Sequence, residues 1–443
     1  MHLLYSAAIV CYALSMSPRL LYEAVRHGKY VGTLRERWGH LPEGIDPGGR
    51  PSIWIHAVSV GEVQAARTLI PGLRDRYPGH RLWLSTTTRT GRAVAAGIEA
   101  VDGVFYFPLD LPPAVDRVLD RVRPVLFVAV DTELWPNLLR RCARRGVRTV
   151  LVNGRISDRS YPRYRLVRRW FRGVLADVDR CCAQSDESAR RLVDLGASAD
   201  RVVTTGNLKF DALPAPGPGP ASRGDELPRS LGLAPDRPVL MAASTHPGEE
   251  GPVLDAFRRL RSRVPGLVLV LAPRHPERGA ELAALAAARG LATVRRSRLP
   301  GGGAGAVDVV VLDTVGELAA LFPAATVVFV GGSLAPVGGH NVIEPAASGR
   351  PVVFGPHMEN FAEIAELFLV HPAARRVSGA GELEPVLAEL LADPRQRAAL
   401  GTAARSLVGA NRGAAGRSLA ALAAGLPPPG RPAPAGTPGE GPR

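Results

Sequence analysis

Short apolar, β-branched runs recur along this chain in two series, each run separated from the next by enough residues for a helix. Residues 52–57, 81–85, 125–130, 149–152 and 201–204 make the first series, and residues 238–243, 267–271, 307–312, 326–330 and 351–354 the second. A strand that is apolar along its whole length is buried on both faces, as in a parallel sheet covered by helices on either side. Each series therefore predicts a doubly wound α/β sheet. Between them stands Leu213-Pro214-Ala215-Pro216-Gly217-Pro218-Gly219-Pro220, which suits neither a helix nor a central strand and reads as a linker. A length of 443 residues also favours two domains. The expected organisation is an apolar, basic-flanked N-terminus over 1–40, Rossmann-like domains over 41–212 and 229–425, a linker over 213–228, and a Pro/Gly-rich disordered tail over 426–443. Two such domains leave a cleft, and ligands of open parallel sheets bind beyond the carboxyl ends of the strands.

The N-terminus has a different character. Residues 3–16 are apolar for about one helix, shorter than the roughly 20 residues of a full span, and Arg19, Arg26, Lys29, Arg35 and Arg37 follow. The stretch lacks a basic n-region and a small-residue cleavage site, so the expectation is a membrane-anchor helix with its basic side cytoplasmic rather than a signal peptide. The formal net charge of +14 favours anionic partners, yet there is no Cys/His finger spacing and no aromatic ribonucleoprotein signature, so no nucleic-acid partner is expected. From Arg140 to Arg172 the chain carries twelve arginines and one acid, Asp158, with Tyr161, Tyr164, Trp170 and Phe171 among them. That run suits either docking on an anionic lipid or a solvated basic face. Cys11, Cys142, Cys181 and Cys182 form neither a zinc spacing nor a disulfide framework, which fits a reducing, cytosol-facing compartment.

The polar motifs follow directly on the strand ends. After the first run comes Ser59-Val60-Gly61-Glu62, where a carboxylate at a helix start can be a general base or can complement the helix dipole. Residues 85–91 can hold a phosphate or cap a helix. Asp131-Thr132-Glu133 puts two carboxylates at one strand end, which is costly unless they are solvated or used. Asn153-Gly154-Arg155 and Gly206-Asn207-Leu208-Lys209 repeat the placement, and Lys209 offers a positive charge. In the second series the candidates are Ser244 and Thr245, then Pro273 and Arg274, whose fork suits phosphate, then Thr314, Val315 and Gly316. Last comes residues 331–345, with four glycines between a strand and an expected helix start near His340 or Asn341. A glycine-rich turn before a helix is a ready phosphate site, and a helix would put His340 and Glu344 on one face. Pro345 is tolerable in a first turn.

Together these motifs resemble the bacterial 3-deoxy-D-manno-octulosonic acid (Kdo) transferases of lipid A biosynthesis. The resemblance is carried in order by residues 35–39, 59–62, 132–137, 206–211, 273–278, 338–345 and 355–361. It implies a GT-B fold, two Rossmann-like domains facing a cleft, with the first binding the acceptor and the second the CMP-sugar. The implied reaction moves Kdo from CMP-Kdo to a hydroxyl of the lipid A precursor lipid IV-A, a phosphorylated, acylated glucosamine disaccharide. It inverts the sugar and uses neither metal nor cofactor. Glu62 matches the family's catalytic base, and Glu133 and Lys209 match positions that support the transition state. Pro273, Arg274, Thr314, Val315, Gly316, Asn341, Val342, Ile343 and Glu344 match CMP-binding segments, and Ser244, Thr245, Gly339 and His340 stand beside them as substrate-binding candidates. Asp131 stands where the family usually has Glu, one methylene longer. The implied place is the inner membrane, with the catalytic domains on its cytoplasmic side.

Two other readings remain open. Another nucleotide-sugar enzyme, a different glycosyltransferase or an epimerase, keeps the fold without needing the anchor or Ser59-Val60-Gly61-Glu62. A non-catalytic, basic membrane-binding protein tolerates loss of Glu62 and binds no nucleotide.

Overall fold

The structure, a computed structural model, describes residues 5–6, 32–213, 227–233, 237–299 and 307–424. The expected anchor (apart from Tyr5 and Ser6), most of the Pro/Gly linker, the stretch Gly301-Gly302-Gly303-Ala304-Gly305, whose composition predicts a surface loop, and the tail from 426 lie outside the described residues. Among the described residues no helix is long and apolar enough to cross a membrane.

The chain divides into two compact units. The first holds a seven-stranded sheet: β1 (Ser52–His56), β2 (Arg81–Thr86), β3 (Gly103–Tyr106), β4 (Pro124–Val130), β5 (Arg148–Gly154), β6 (Arg180–Ala183) and β7 (Val202–Thr204). Its order is β3-β2-β1-β4-β5-β6-β7, and every pairing is parallel. Side chains alternate between the two faces as strand geometry dictates. Trp54, Phe127 and Ala129 join one buried cluster, while Ile53, Ile55, Leu126, Val128 and Val130 join the other. Cys142, Cys181 and Cys182 are free, buried core residues, and burial pushes the Cys181 and Cys182 thiols up to about 12.

The second unit repeats the plan with β8 (Val239–Thr245), β9 (Val268–Pro273), β10 (Thr293–Arg295), β11 (Val309–Val311), β12 (Val327–Val330), β13 (Val352–Phe354) and β14 (Arg375–Arg376). Its order is β10-β11-β9-β8-β12-β13-β14, again all parallel. The strand order reverses between β1 and β4 in the first unit and between β8 and β12 in the second. Those reversals are where the loops diverge and leave a crevice at the carboxyl ends of the strands.

Strands β3, β6, β10 and β14 escape a reading of apolar runs because each has four residues or fewer and little periodicity of its own. One domain boundary is corrected. The expected second domain ran to 425, but the chain from Arg412 belongs to the first unit. The helix Ala414–Ala423 packs there, with Ala414 and Leu422 in the Ile53–Ile55 cluster. Asp211 receives the N–H groups of Gly413 (2.7 Å) and Ala415 (2.6 Å), and Arg417 Nε donates to the Thr205 carbonyl at 2.8 Å. The last residue of the Gly206-to-Asp211 motif thus caps a helix two hundred residues away.

Candidate active site

In the first unit, four charged side chains from three strand ends act on one another. Glu62 comes from the loop after β1, Asp131 and Glu133 from the loop after β4, and Lys209 from the turn after β7. Glu62 lies in the first turn of the helix Val60–Arg67, where its Oε2 accepts the Ser59 N–H at 2.9 Å and the Ser59 hydroxyl. It is a capping-box residue as well as a base candidate, and both bonds fall on Oε2, so Oε1 keeps its lone pairs for another donor. Burial first, then the neighbouring charges of Glu62 and Asp131, push the Glu133 carboxyl up to about 7. Asp131 is also raised, by burial and by Glu62, against the pull of Asn153, Lys209 and Arg155.

Asn153, fully buried at the end of β5, holds two of these groups at once. Its Nδ2 donates to Asp131 Oδ1, and its Oδ1 accepts the Leu208 N–H at 2.9 Å, at the start of the Leu208–Phe210 turn that carries Lys209. Asp131 and Asn153 adopt positive φ, 63° and 56°. Ser244, at 57°, is a third, at a strand end of the second unit. Left-handed backbone costs energy in residues other than glycine and persists where surrounding structure over-determines it, commonly at functional sites.

Other motifs of this unit prove structural. Thr88 Oγ1 accepts the Gly91 N–H at 3.0 Å, so residues 85–91 cap a helix. In the 35–39 motif, Glu36 is buried, pairs with Arg92 at 2.7 Å and accepts the Tyr106 N–H at 2.6 Å. Much of the arginine run is tied down too. Arg140 pairs with Asp177, Arg141 and Arg145 with Asp116, and Arg148 with Asp179. The run is different around Leu166 and Val167, which are 87 % and 50 % exposed between the helices Tyr161–Leu166 and Arg168–Leu175. Tyr5 lies 6.0 Å from the Trp170 ring, and Asn137 Nδ2 donates to the Ser6 hydroxyl at 3.0 Å.

In the second unit the glycine-rich turn after β12 departs from expectation. The N–H groups of its first part, residues 332–335, are not open to a phosphate. The carboxylate of Glu249, 0 % exposed, accepts the N–H groups of Gly332 (2.7 Å), Ser333 (2.9 Å), Leu334 (2.7 Å) and Ala335 (3.2 Å), and that of His246 at 2.9 Å. An internal carboxylate fills the anion nest. The helix begins at Ile343, later than expected, with Pro345 in its first turn. His340 lies before that helix and does not share a face with Glu344; its Nε2 is 2.8 Å from His246 Nε2 instead. Asn341 bonds the Ile343 N–H and the Glu344 carboxylate, both at 3.0 Å, and burial raises the Glu344 carboxyl. Val342 and Ile343 are buried core residues. Gly339, at φ +74°, lets the chain pass Met358, where a Cβ would come within 2.4 Å of Sδ, so its permissiveness serves packing.

Thr245 is fully buried with its hydroxyl unpartnered, and the Arg274 N–H donates to the Thr245 carbonyl at 2.9 Å. Pro273 closes β9 and hands the chain to Arg274, which is exposed. Thr314 donates its hydroxyl to Glu317, Val315 is 86 % exposed, and Gly316 turns the chain at φ +89°. Among the described residues no group of three or more His, Cys, Asp or Glu side chains is placed to hold a metal. Sequence reasoning missed Asn153, His246 and Glu249 as site residues. Asn153 stood inside the quoted Asn153-Gly154-Arg155 motif at the end of β5, and His246 and Glu249 follow β8 by one and four residues, which was the available signal.

Residues 32–212 match a family profile described as 3-deoxy-D-manno-octulosonic-acid transferase (kdotransferase). A 3-deoxy-D-manno-octulosonic acid transferase of Haemophilus influenzae is 35% identical over 408 residues, covering 89% of this chain and 92% of that one. One of Bordetella pertussis is 39% identical over 381 residues, covering 84% and 86%. Among solved structures, a UDP-GlcNAc 2-epimerase from Neisseria meningitidis bound to UDP-GlcNAc is similar in fold, with a TM-score of 0.59 at 11% identity, over 84% of this chain and all of that one.

Proposed function

The chain belongs to the 3-deoxy-D-manno-octulosonic acid (Kdo) transferase family, and from that premise we propose that it moves Kdo from CMP-Kdo to lipid IV-A at the cytoplasmic face of the inner membrane. The observation that carries this reading is the convergence of Glu62, Asp131, Glu133 and Lys209 at the carboxyl ends of the first unit's strands. A sugar transfer to a hydroxyl needs a base at the nucleophile and positive charge where negative charge develops.

Glu62 takes the proton from the acceptor hydroxyl as its oxygen bonds to the anomeric carbon of Kdo. The bond from that carbon to the phosphate of CMP breaks, and CMP leaves with the electron pair. Attack opposite the leaving group inverts the anomeric centre. Glu133, held near half-protonation at neutral pH, can donate a hydrogen bond without adding a full negative charge beside Glu62. Lys209 and Arg274 supply the cationic charge that a metal ion supplies in other transferases, so chelators are expected to leave the rate unchanged. In the second unit, the exposed Val315 offers an apolar surface to the base, and Asn341 and Glu344 offer polar groups to the ribose. Membrane association is assigned to the N-terminal apolar stretch together with the Leu166–Val167 tip and its arginines.

The test is purified protein with CMP-Kdo and a tetraacylated disaccharide bisphosphate, with product mass as the readout. Glu62→Gln is expected to keep CMP affinity and lose at least 100-fold in transfer, in the range of general-base catalysis, about 10²–10⁴. Full transfer by that variant would remove Glu62 as the base.

A further inference from the structure

Asn153 does more than its own strand requires. Strand β5 lies between β4 and β6, and its pairing with β6 shifts register between Leu151 and Gly154. In that interval the Asn153 backbone turns to φ +56° and its side chain is 1 % exposed. Irregular pairing at a strand end commonly re-aims a side chain beside a functional site. The Leu208 N–H that Asn153 Oδ1 accepts belongs to the turn after β7, and β7 lies beyond β6 in the sheet. One amide therefore reaches across the end of a whole strand. Its Nδ2 meanwhile donates to Asp131 Oδ1 in the loop after β4, so three strand-end loops meet at one side chain.

The loops after β4 and β5 are stitched further. The Asp131 N–H donates to the Val152 carbonyl at 2.9 Å, and the Thr132 hydroxyl accepts the Arg155 N–H at 2.8 Å and donates to the Arg155 carbonyl. In the third loop the Lys209 N–H donates to Asn207 Oδ1 at 3.0 Å. The partners of Asn153 dictate an amide. An ionised carboxylate only accepts and a backbone N–H only donates, so the group between them must donate to one and accept from the other. Asn does both on a short side chain, and it tolerates left-handed backbone better than most residues. A packing role alone is met more cheaply by an apolar side chain, because a buried amide costs energy unless it is bonded. Asp131 itself stands in the fields of Lys209, Arg155 and Glu62. A donor fixed on its Oδ1 holds the carboxylate in one orientation among those charges.

We infer that Asn153 is a positioning residue of the transfer reaction: its amide fixes the Asp131 carboxylate and the Lys209 turn against each other, and so holds the Lys209 charge where the reaction uses it. The inference rests on the reading of Glu62, Asp131, Glu133 and Lys209 as the transfer site. Asn153 touches no substrate in this scheme and acts only through Asp131 and Lys209. A charged group misplaced by about 1 Å can cost about 100-fold in rate.

The test is the transfer assay on full-length protein, with kcat and KM for CMP-Kdo measured separately from pH 6 to pH 9. Asn153→Gly keeps the left-handed backbone and removes both bonds. Its kcat should fall about 30-fold or more while KM stays within threefold, because the lost alignment is felt in the transition state and not in donor binding. Asn153→Asp keeps the acceptor for the Leu208 N–H and replaces the donor with an oxygen. When ionised, the new carboxylate repels Asp131, with Glu62 and Glu133 nearby and Lys209 and Arg155 shared among the four acids. When protonated, its O–H donates to Asp131 as the amide does. Its kcat, taken as a ratio to the parent at the same pH, should therefore rise tenfold or more from pH 9 to pH 6. Amide exchange in β1 to β4 reports whether each variant is folded, and if the glycine variant is not, the aspartate ratio decides alone. A folded glycine variant with kcat within twofold of the parent, with or without a raised KM, would overturn the inference and leave the transferase reading standing. So would an aspartate ratio that is flat with pH. A parent protein that transfers no Kdo would overturn both.

Discussion

At the scale of single residues, this protein uses burial to set charge. Glu133 ionises near 4.5 in an unfolded chain and is held up to about 7 in the folded one, first by burial and then by Glu62 and Asp131. Between those values the folded chain binds the extra proton, so stability falls as pH rises through that window. Glu133→Gln removes the fall. The variant is expected to match the parent near pH 4 and to exceed it at pH 8 by up to about 3 kcal/mol, at 1.36 kcal/mol per unit. Parallel stability profiles for the two proteins across pH 4–8 would contradict this. The same variant should transfer more slowly, since a site that carries strain and repulsion trades stability for function. Glu62 shows the other side of residue-scale reasoning. Its motif fits a helix cap and a base equally well, and the structure keeps both roles, because the cap uses only Oε2. Which motif residues were structural was not legible, because a capping Thr88 or a latching Glu36 has the same spacing as a ligand.

At the scale of elements, the strand-end placement of the motifs was legible from the sequence, since a fully apolar run that is short and β-branched reads as an interior strand. The partner of each loop was not. The glycine-rich turn after β12 has the composition of a phosphate turn, and only the position of Glu249, more than eighty residues earlier, shows that the N–H groups of residues 332–335 are taken. The helix pair Tyr161–Leu166 and Arg168–Leu175 belongs to the same lesson. Twelve arginines in the run look alike in the sequence, yet those on the helix Pro136–Arg144 and at the start of β5 are largely paired with aspartates, Arg165 and Arg168 share Asp194 at 3.6 and 3.8 Å, and Leu166 and Val167 project beside these two and Arg163 and Arg169. An exposed apolar tip in an arginine collar suits an anionic bilayer. Leu166→Glu with Val167→Glu should reduce binding to vesicles with 30 mol % phosphatidylglycerol roughly tenfold or more by co-sedimentation, while CMP affinity stays within twofold. Unchanged sedimentation would leave membrane binding to the N-terminal stretch alone.

At the scale of the whole molecule, the last helix decides where one unit ends. Ala414–Ala423 reads as an ordinary alanine-rich helix after a domain, yet it completes the first unit's core and is capped by Asp211, next to the turn that carries Lys209. A hydrogen bond to a charged group contributes about 1.5–3 kcal/mol. Asp211→Ala is therefore expected to speed amide exchange in β6, β7 and the Leu208–Phe210 turn by tenfold or more, and a chain ending at Asn411 to do so further. Strands β8 to β12 should exchange as before, and a uniform change across both units would refute the assignment. By itself the sequence determined the longer interior strands, the two parallel sheets and the placement of polar motifs at strand ends, because those follow from local periodicity and from what a buried strand tolerates. The tertiary structure alone decided which polar groups meet, which N–H groups are already satisfied and which unit the final helix completes. Those are distances between residues remote in the chain, and no local pattern encodes them.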